Sequence, residues 1–258
     1  MKYFGTLLTV IMLFSSIGLF SQNKKTLDHN AYKEWRRTNS EKISNDGKWI
    51  NYTLESNAEA NDVLELSTFE GKKVIKYERG TKGQFTDNSQ YLFFKIKPDI
   101  AEVKHLRRNK VKKDDLPLDS LAIHHLPSNS TRKISRLQSY KLPKEWNGWF
   151  AYQVKELEDS TKKKQKNKEL NLVIEQFGGG KNHVFPTVTN YIISEEGGKI
   201  AFASKGNDST FLPGVYIFDS KNESLQPVIR SKGTYKSMTW SEKVTGWHSS
   251  VIWTLLKH

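Results

Sequence analysis

Ile43-Ser44-Asn45-Asp46-Gly47-Lys48-Trp49-Ile50-Asn51-Tyr52 is answered 42 residues later by Phe85-Thr86-Asp87-Asn88-Ser89-Gln90-Tyr91-Leu92-Phe93-Phe94. Ile193-Ser194-Glu195-Glu196-Gly197-Gly198-Lys199-Ile200-Ala201-Phe202 is a third copy. A weaker one runs from Trp146 to Tyr152, and a shortened one from Thr239 to Lys243. In this unit Ser/Thr, Asp/Asn and Gly form a tight turn, because these residues tolerate positive φ or bond their own backbone. Aromatic and β-branched residues follow, as in a strand.

More strands are expected between the turns. Val63 to Ser67 and Lys73 to Tyr77 flank Glu70-Gly71. Asn171 to Gln176 and His183 to Pro186 flank Gly178-Gly179-Gly180, and Gly214 to Asp219 and Leu225 to Ile229 flank Lys221-Asn222. About four strands per 40 to 50 residues describes a β-propeller blade. The fold class is therefore all-β, a partial β-propeller of about four to five four-stranded blades. An ordinary antiparallel sandwich is the alternative.

The expected organisation is a signal peptide over 1–21, a helical lead-in over 22–42, blades over 43–243, and a tail over 244–258 without strand pattern. Lys2, the apolar run from Leu7 to Phe20 and Ser21 carry the signal-peptide reading. That run is about 14 residues, against roughly 20 for a membrane span, so no stable anchor is expected after cleavage. The lead-in helix is capped by Asp28 and continues from Ala31 to Arg37, with Tyr32 and Trp35 on one face.

Absence of cysteine among the 258 residues excludes a disulfide framework, thiolate metal sites and a cysteine nucleophile. The net charge is +13, from 41 Lys+Arg against 28 Asp+Glu. Eleven of those basic residues lie in two runs. Lys104, Arg107, Arg108, Lys110, Lys112 and Lys113 fall in an insertion near 98–117, expected to be partly helical. Lys162, Lys163, Lys164, Lys166 and Lys168 fall in another near 158–169. Without them the balance is near +2. Like-charge runs read as solvated, self-repelling loops, with an anion-binding patch as the alternative. Neither run has the interleaved aromatics that stack on bases, so no specific nucleic acid is expected.

The sequence has no G-x-S-x-G elbow, no H-E-x-x-H and no Walker A loop. Gly178-Gly179-Gly180-Lys181 lies between two strands and reads as a hairpin, not a phosphate cradle. His124 and His125 are adjacent in a strand, so they point to opposite faces and do not share a metal. Asp46, Asp87 and Glu195 recur at like positions and read as turn-fixing acids, since a calcium site needs several converging oxygens. No catalytic, metal or cofactor residue is assigned.

Leu27-Asp28-His29 with Tyr32 and Trp35, and then residues 43–50, resemble the N-terminal part of secreted prolyl oligopeptidase-family serine peptidases of Bacteroidetes type. So do residues 93–98, residues 112–117, the lysine-rich insertion and Gly214-Val215-Tyr216-Ile217-Phe218-Asp219. The resemblance covers about residues 22 to 243. It implies a propeller that restricts entry of peptides to an α/β-hydrolase domain, which supplies the Ser, Asp, His and oxyanion hole. No residue matches that domain, so the chain is expected to be inactive alone, with peptide substrate only in an intact parent. Residues 244–258 break the fifth repeat and read as a truncated or frameshifted end. A stand-alone periplasmic binding or scaffold propeller is the alternative.

Overall fold

The computed structural model describes residues 35–57, 60–155, 170–207, 210–240 and 251–255. The signal peptide, most of the lead-in helix and the insertion at 158–169 lie outside the described residues. From Arg36 onward the chain forms one compact unit.

The repeated turns are closed by a buried hydroxyl. Ser44 and Thr86 are both 3% exposed and Ser194 is 7% exposed. The Ser44 Oγ accepts from Trp49 N at 3.0 Å, the Thr86 Oγ1 from Tyr91 N at 3.1 Å, and the Ser194 Oγ from Lys199 N at 3.0 Å. The backbone amides of Ser44, Thr86 and Ser194 in turn donate to the carbonyls of Trp49, Tyr91 and Lys199. The closing residue and the residue five ahead thus have their amides paired at each reversal, which matters because an unpaired buried N–H costs about 1–3 kcal/mol. Ser44 also donates to Asp46 Oδ1 at 2.6 Å, and Thr86 to Asn88 Oδ1 at 2.8 Å. Gly47, at φ +70, supplies the left-handed residue of the first turn.

Each turn joins the first two strands of a blade. β1 (Arg36–Ile43), β2 (Trp49–Ser56), β3 (Val63–Thr68) and β4 (Val74–Glu78) form the first blade, in that order. β5 (Gly80–Phe85), β6 (Tyr91–Ile96), β7 (Ser120–His125) and β8 (Ser130–Ile134) form the second. All their pairings are antiparallel. The next seven strands form one continuous sheet: β9 (Leu137–Lys141), β10 (Trp149–Val154), β11 (Leu170–Gln176), β12 (Asn182–Ile193), β13 (Lys199–Ser204), β14 (Gly214–Asp219) and β15 (Ser224–Ile229).

Two blades are fused through β12, whose first part pairs with β11 and whose second part pairs with β13. Both registers slip near Val188, beside Thr187 at φ +50, so one strand ends the third blade and begins the fourth. β16 (Tyr235–Trp240) and β17 (Val251–Leu255) begin a fifth. The fold is all-β and a partial propeller, as the repeats imply.

The core lies between blades. Leu64 and Leu66 meet Leu92, Phe94 and Ala122, while Phe93, Leu121 and Ile123 meet Phe150 and Tyr152. Trp149, Leu172 and Ile174 meet Ile200, Phe202 and Phe218. β6 is covered on both faces, which is why Leu92-Phe93-Phe94 are all buried and the sequence there does not alternate. The turns form a second, polar belt at one end. Asn45 Nδ2 donates to Asp87 Oδ1 at 2.9 Å, and Asn147 Nδ2 to Asp87 Oδ2 at 3.1 Å. Trp146 Nε1 donates to the Ser194 carbonyl at 2.8 Å, and Lys144 pairs with Glu195. Asp46 therefore fixes its own turn, whereas Asp87 and Glu195 join neighbouring turns.

Two expectations change. Arg36 and Arg37 belong to β1, paired with Ser56 and Glu55, not to a helix. An edge partner on β2 outweighs a two-residue extension of helical spacing. The 244–258 tail, expected to lack strand, contributes Val251–Leu255 in antiparallel register with β16. Its β-branched and aromatic residues suit a strand, but they stand too far from the turn for the repeat spacing to find them. The first basic insertion, expected to be partly helical, holds α1 (Ile100–Arg108), capped by Asp99, whose carboxylate accepts from the Ala101 and Glu102 amides, and a 3-10 turn at Lys113–Asp115.

Thr86→Val removes the acceptor of the Tyr91 amide at nearly constant volume. It should lower unfolding free energy by about 1–3 kcal/mol, while Thr86→Ser stays within about 0.5 kcal/mol of the parent. Urea unfolding followed by tryptophan fluorescence checks this, and equal stability of the two variants would contradict it.

Candidate functional site

The first strand of each blade sets the site. β1, β5 and β9 each end their sheet, so one edge of each is unpaired within the sheets. β1 carries a bulge between Asn39 and Lys42, with Ser40 at φ +60, and β5 one between Thr81 and Gln84, with Lys82 at φ +56. Such bulges bend an edge strand and re-aim its side chains. Gly83 follows because any Cβ there would lie 2.1 Å from Asn51 Oδ1 of the first blade.

The three edges converge on a cavity of about 760 Å³, lined by Lys42, Lys82, Lys95, Phe85, Tyr140 and Lys141 among others. Lys95 lies 3.5 Å from Asp119. Among the described residues, no carboxylate is within ion-pair distance of Lys42, Lys82 or Lys141. A second cavity, of about 530 Å³, shares Lys141 and lies between the third and fourth blades.

Its floor is a polar ladder. Lys141 Nζ donates to the Tyr191 carbonyl at 2.8 Å and stands 5.3 Å from the Tyr191 ring centroid. The hydroxyls of Ser139 and Tyr191 share a hydrogen bond of 2.8 Å, and Gln153 Nε2 donates to the Val188 carbonyl at 2.9 Å. Burial lowers the pKa of Lys141 and pushes the phenols of Tyr140 and Tyr191 up to about 12. The tyrosines are therefore neutral donors and the lysines the charges of this surface.

The residues weighed from sequence lie elsewhere. His124 is 1% exposed, with Nδ1 2.8 Å from Thr131 Oγ1, while His125 turns outward to Ser128 Oγ at 2.7 Å. The opposed faces are as expected. Residues 177–180 turn between β11 and β12, as a hairpin. Among the described residues no group of three His, Asp or Glu side chains could hold a metal ion. None of their helices is long and apolar enough to cross a membrane.

α1 lies in the connection from β6 to β7, and residues 155 and 170 bound the corresponding connection of the third blade. Successive connections of an antiparallel blade alternate ends, so both connections start and finish at the end opposite the turns. Lys155 Nζ donates to the Asp114 carbonyl at 2.5 Å, tying the two bases together. The mouth lysines went unseen in the sequence because they are scattered singly over three blades. Their one signal is nearness to a repeat turn, two residues before Ser44 and four before Thr86.

No family model matches the chain, and no curated protein matches it. Solved structures are similar in fold at low identity. An acylaminoacyl peptidase in complex with Z-Gly-Gly-Phe-chloromethyl ketone is 10% identical with a TM-score of 0.46, over 81% of this chain and 34% of that one. The β-propeller domain of the Trilobed protease from Pyrococcus furiosus, described as having an open velcro topology, is 9% identical with a TM-score of 0.47, over 87% and 70%. A prolyl endopeptidase is 11% identical with a TM-score of 0.46, over 84% and 35%. The chain thus spans about a third of the length of the two complete peptidases.

Burial, reinforced by the charges of Lys73 and His125, pushes His124 down to about 4 from 6.5. The unfolded chain therefore takes up this proton first, so stability should fall as pH drops from about 6.5 towards 4. His124→Gln should flatten that part of the profile in chemical denaturation at a series of pH values, and an unchanged slope would contradict the assignment.

Proposed function

We propose that this chain is the substrate-gating propeller of an exported serine peptidase of prolyl oligopeptidase type. In this reading the catalytic groups come from a hydrolase domain, and the propeller limits which peptides reach it. The carrying observation is the open mouth on which β1, β5 and β9 converge, in a set of blades whose sequence resembles that family over residues 22–243. A cleft of this volume is of the size that holds a small ligand or a short stretch of peptide. Its lining offers amphipathic and charged contacts but no described nucleophile–base pair. Export rests on the apolar run from Leu7 to Phe20 behind Lys2.

The purified chain should not turn over fluorogenic peptides, and genomic DNA adjoining its coding region should encode an α/β-hydrolase module with a G-x-S-x-G segment. Robust turnover abolished by a serine-directed inhibitor would overturn the gating role. Adjoining DNA without such a module would favour an independent scaffold propeller.

A further inference from the structure

We propose that the mouth on which β1, β5 and β9 converge is a binding site for acidic peptide segments, read by Lys42, Lys82, Lys95 and Lys141. The inference goes beyond the peptidase reading, because it concerns binding by this chain and holds whether or not a hydrolase accompanies it.

Charge is the first argument. Four ammonium groups line a concave surface whose nearby carboxylate, Asp119, is engaged by Lys95. Lys42 and Lys82 are exposed, and Lys141 is tethered to a carbonyl, which does not neutralise it. A cleft lined by one sign of charge concentrates its field and attracts the opposite sign.

The second argument is the apolar surface between the lysines. Ile43 is 61% exposed at the rim, and Phe85 and Tyr140 are half-buried beside it. Alternating ammonium and apolar groups match a chain that alternates carboxylates with hydrophobic side chains. The third argument is the backbone. β1, β5 and β9 are sheet edges, and an edge offers N–H and C=O groups to an added extended segment. The volume of about 760 Å³ falls inside the roughly 300–1,000 Å³ typical of ligand clefts.

Peptide is favoured over nucleic acid because the mouth is a compact meeting of three strand edges, whose backbone groups can pair with an extended peptide, and not a long groove that follows a phosphate backbone. The basic residues of α1 do not line the mouth.

Fluorescence anisotropy on the full chain at low ionic strength tests this. The probes are a labelled hexapeptide of alternating glutamate and leucine, its lysine–leucine counterpart and a single-stranded oligodeoxynucleotide. The acidic peptide should bind at least about tenfold more tightly than the lysine peptide, since like charges repel at a complementary surface. Lys42→Ala with Lys82→Ala should weaken it at least about fivefold, as loss of two charge-assisted contacts predicts. Arg107→Ala with Arg108→Ala on α1 should leave it unchanged. All four substituted side chains are exposed, and matched thermal melting of the variants establishes that they fold. Equal binding of the two peptides, no binding of either, or insensitivity to the Lys42 and Lys82 changes would overturn the proposal. So would tighter binding of the oligonucleotide that is lost in the same double variant.

Discussion

A buried hydroxyl that closes a six-residue turn is the contact on which the rest of this structure depends. Ser44, Thr86 and Ser194 each bond the amide five residues ahead, at the point where the first strand of a blade hands over to the second. Without that bond a backbone amide would be buried unpaired. With it, the chain reverses tightly enough for the second strand to be covered on both faces. The aromatic residues that follow, Trp49 and Tyr91, then start the strand that feeds the inter-blade core. The same turns meet one another through Asn45, Asp87 and Asn147, so neighbouring blades are joined by polar contacts at one end and apolar contacts along their faces. The third blade has no Ser or Thr at the closing position and reaches Ser194 through Trp146.

That arrangement sets the position of the mouth. A tight turn holds the end of each first strand close to its neighbours, and the bulges at Ser40 and Lys82 bend those ends. Lysines that would be unremarkable on a flat sheet are thereby gathered on one concave surface. The net charge of +13 suggests a large cationic face, but position matters more than the total. α1 holds its basic residues on a solvated helix with no buried side chain, where salt screens them. The mouth has four lysines on a concave surface, and Lys141 is partly desolvated. Burial lowers the Lys141 pKa, which shows how close that ammonium lies to low-dielectric surroundings.

The blades were legible because their signal is local. Turn chemistry and strand composition sit within ten residues, and Ser44-Asn45-Asp46-Gly47 states both at once. What escaped was set by distant partners. β1 shows little apolar pattern, since its residues are mostly exposed, and only its pairing to β2 makes it a strand. β12 carries Pro186 and a left-handed Thr187, local signs of an end, yet it continues because β11 and β13 hold its two parts. Asp87 and Glu195 look like turn acids, but their partners come from other blades. Lys42, Lys82 and Lys141 are far apart in sequence and meet only once three blades stand side by side.

Native-state hydrogen exchange of the Trp49, Tyr91 and Lys199 amides probes the central claim most directly. If the hydroxyl-closed turns hold the blades together, these three amides should exchange only with global unfolding, at the same free energy as the core amides of Phe93 and Phe202. Exchange of the turn amides through separate, low-energy openings while Phe93 and Phe202 stay protected would contradict the account.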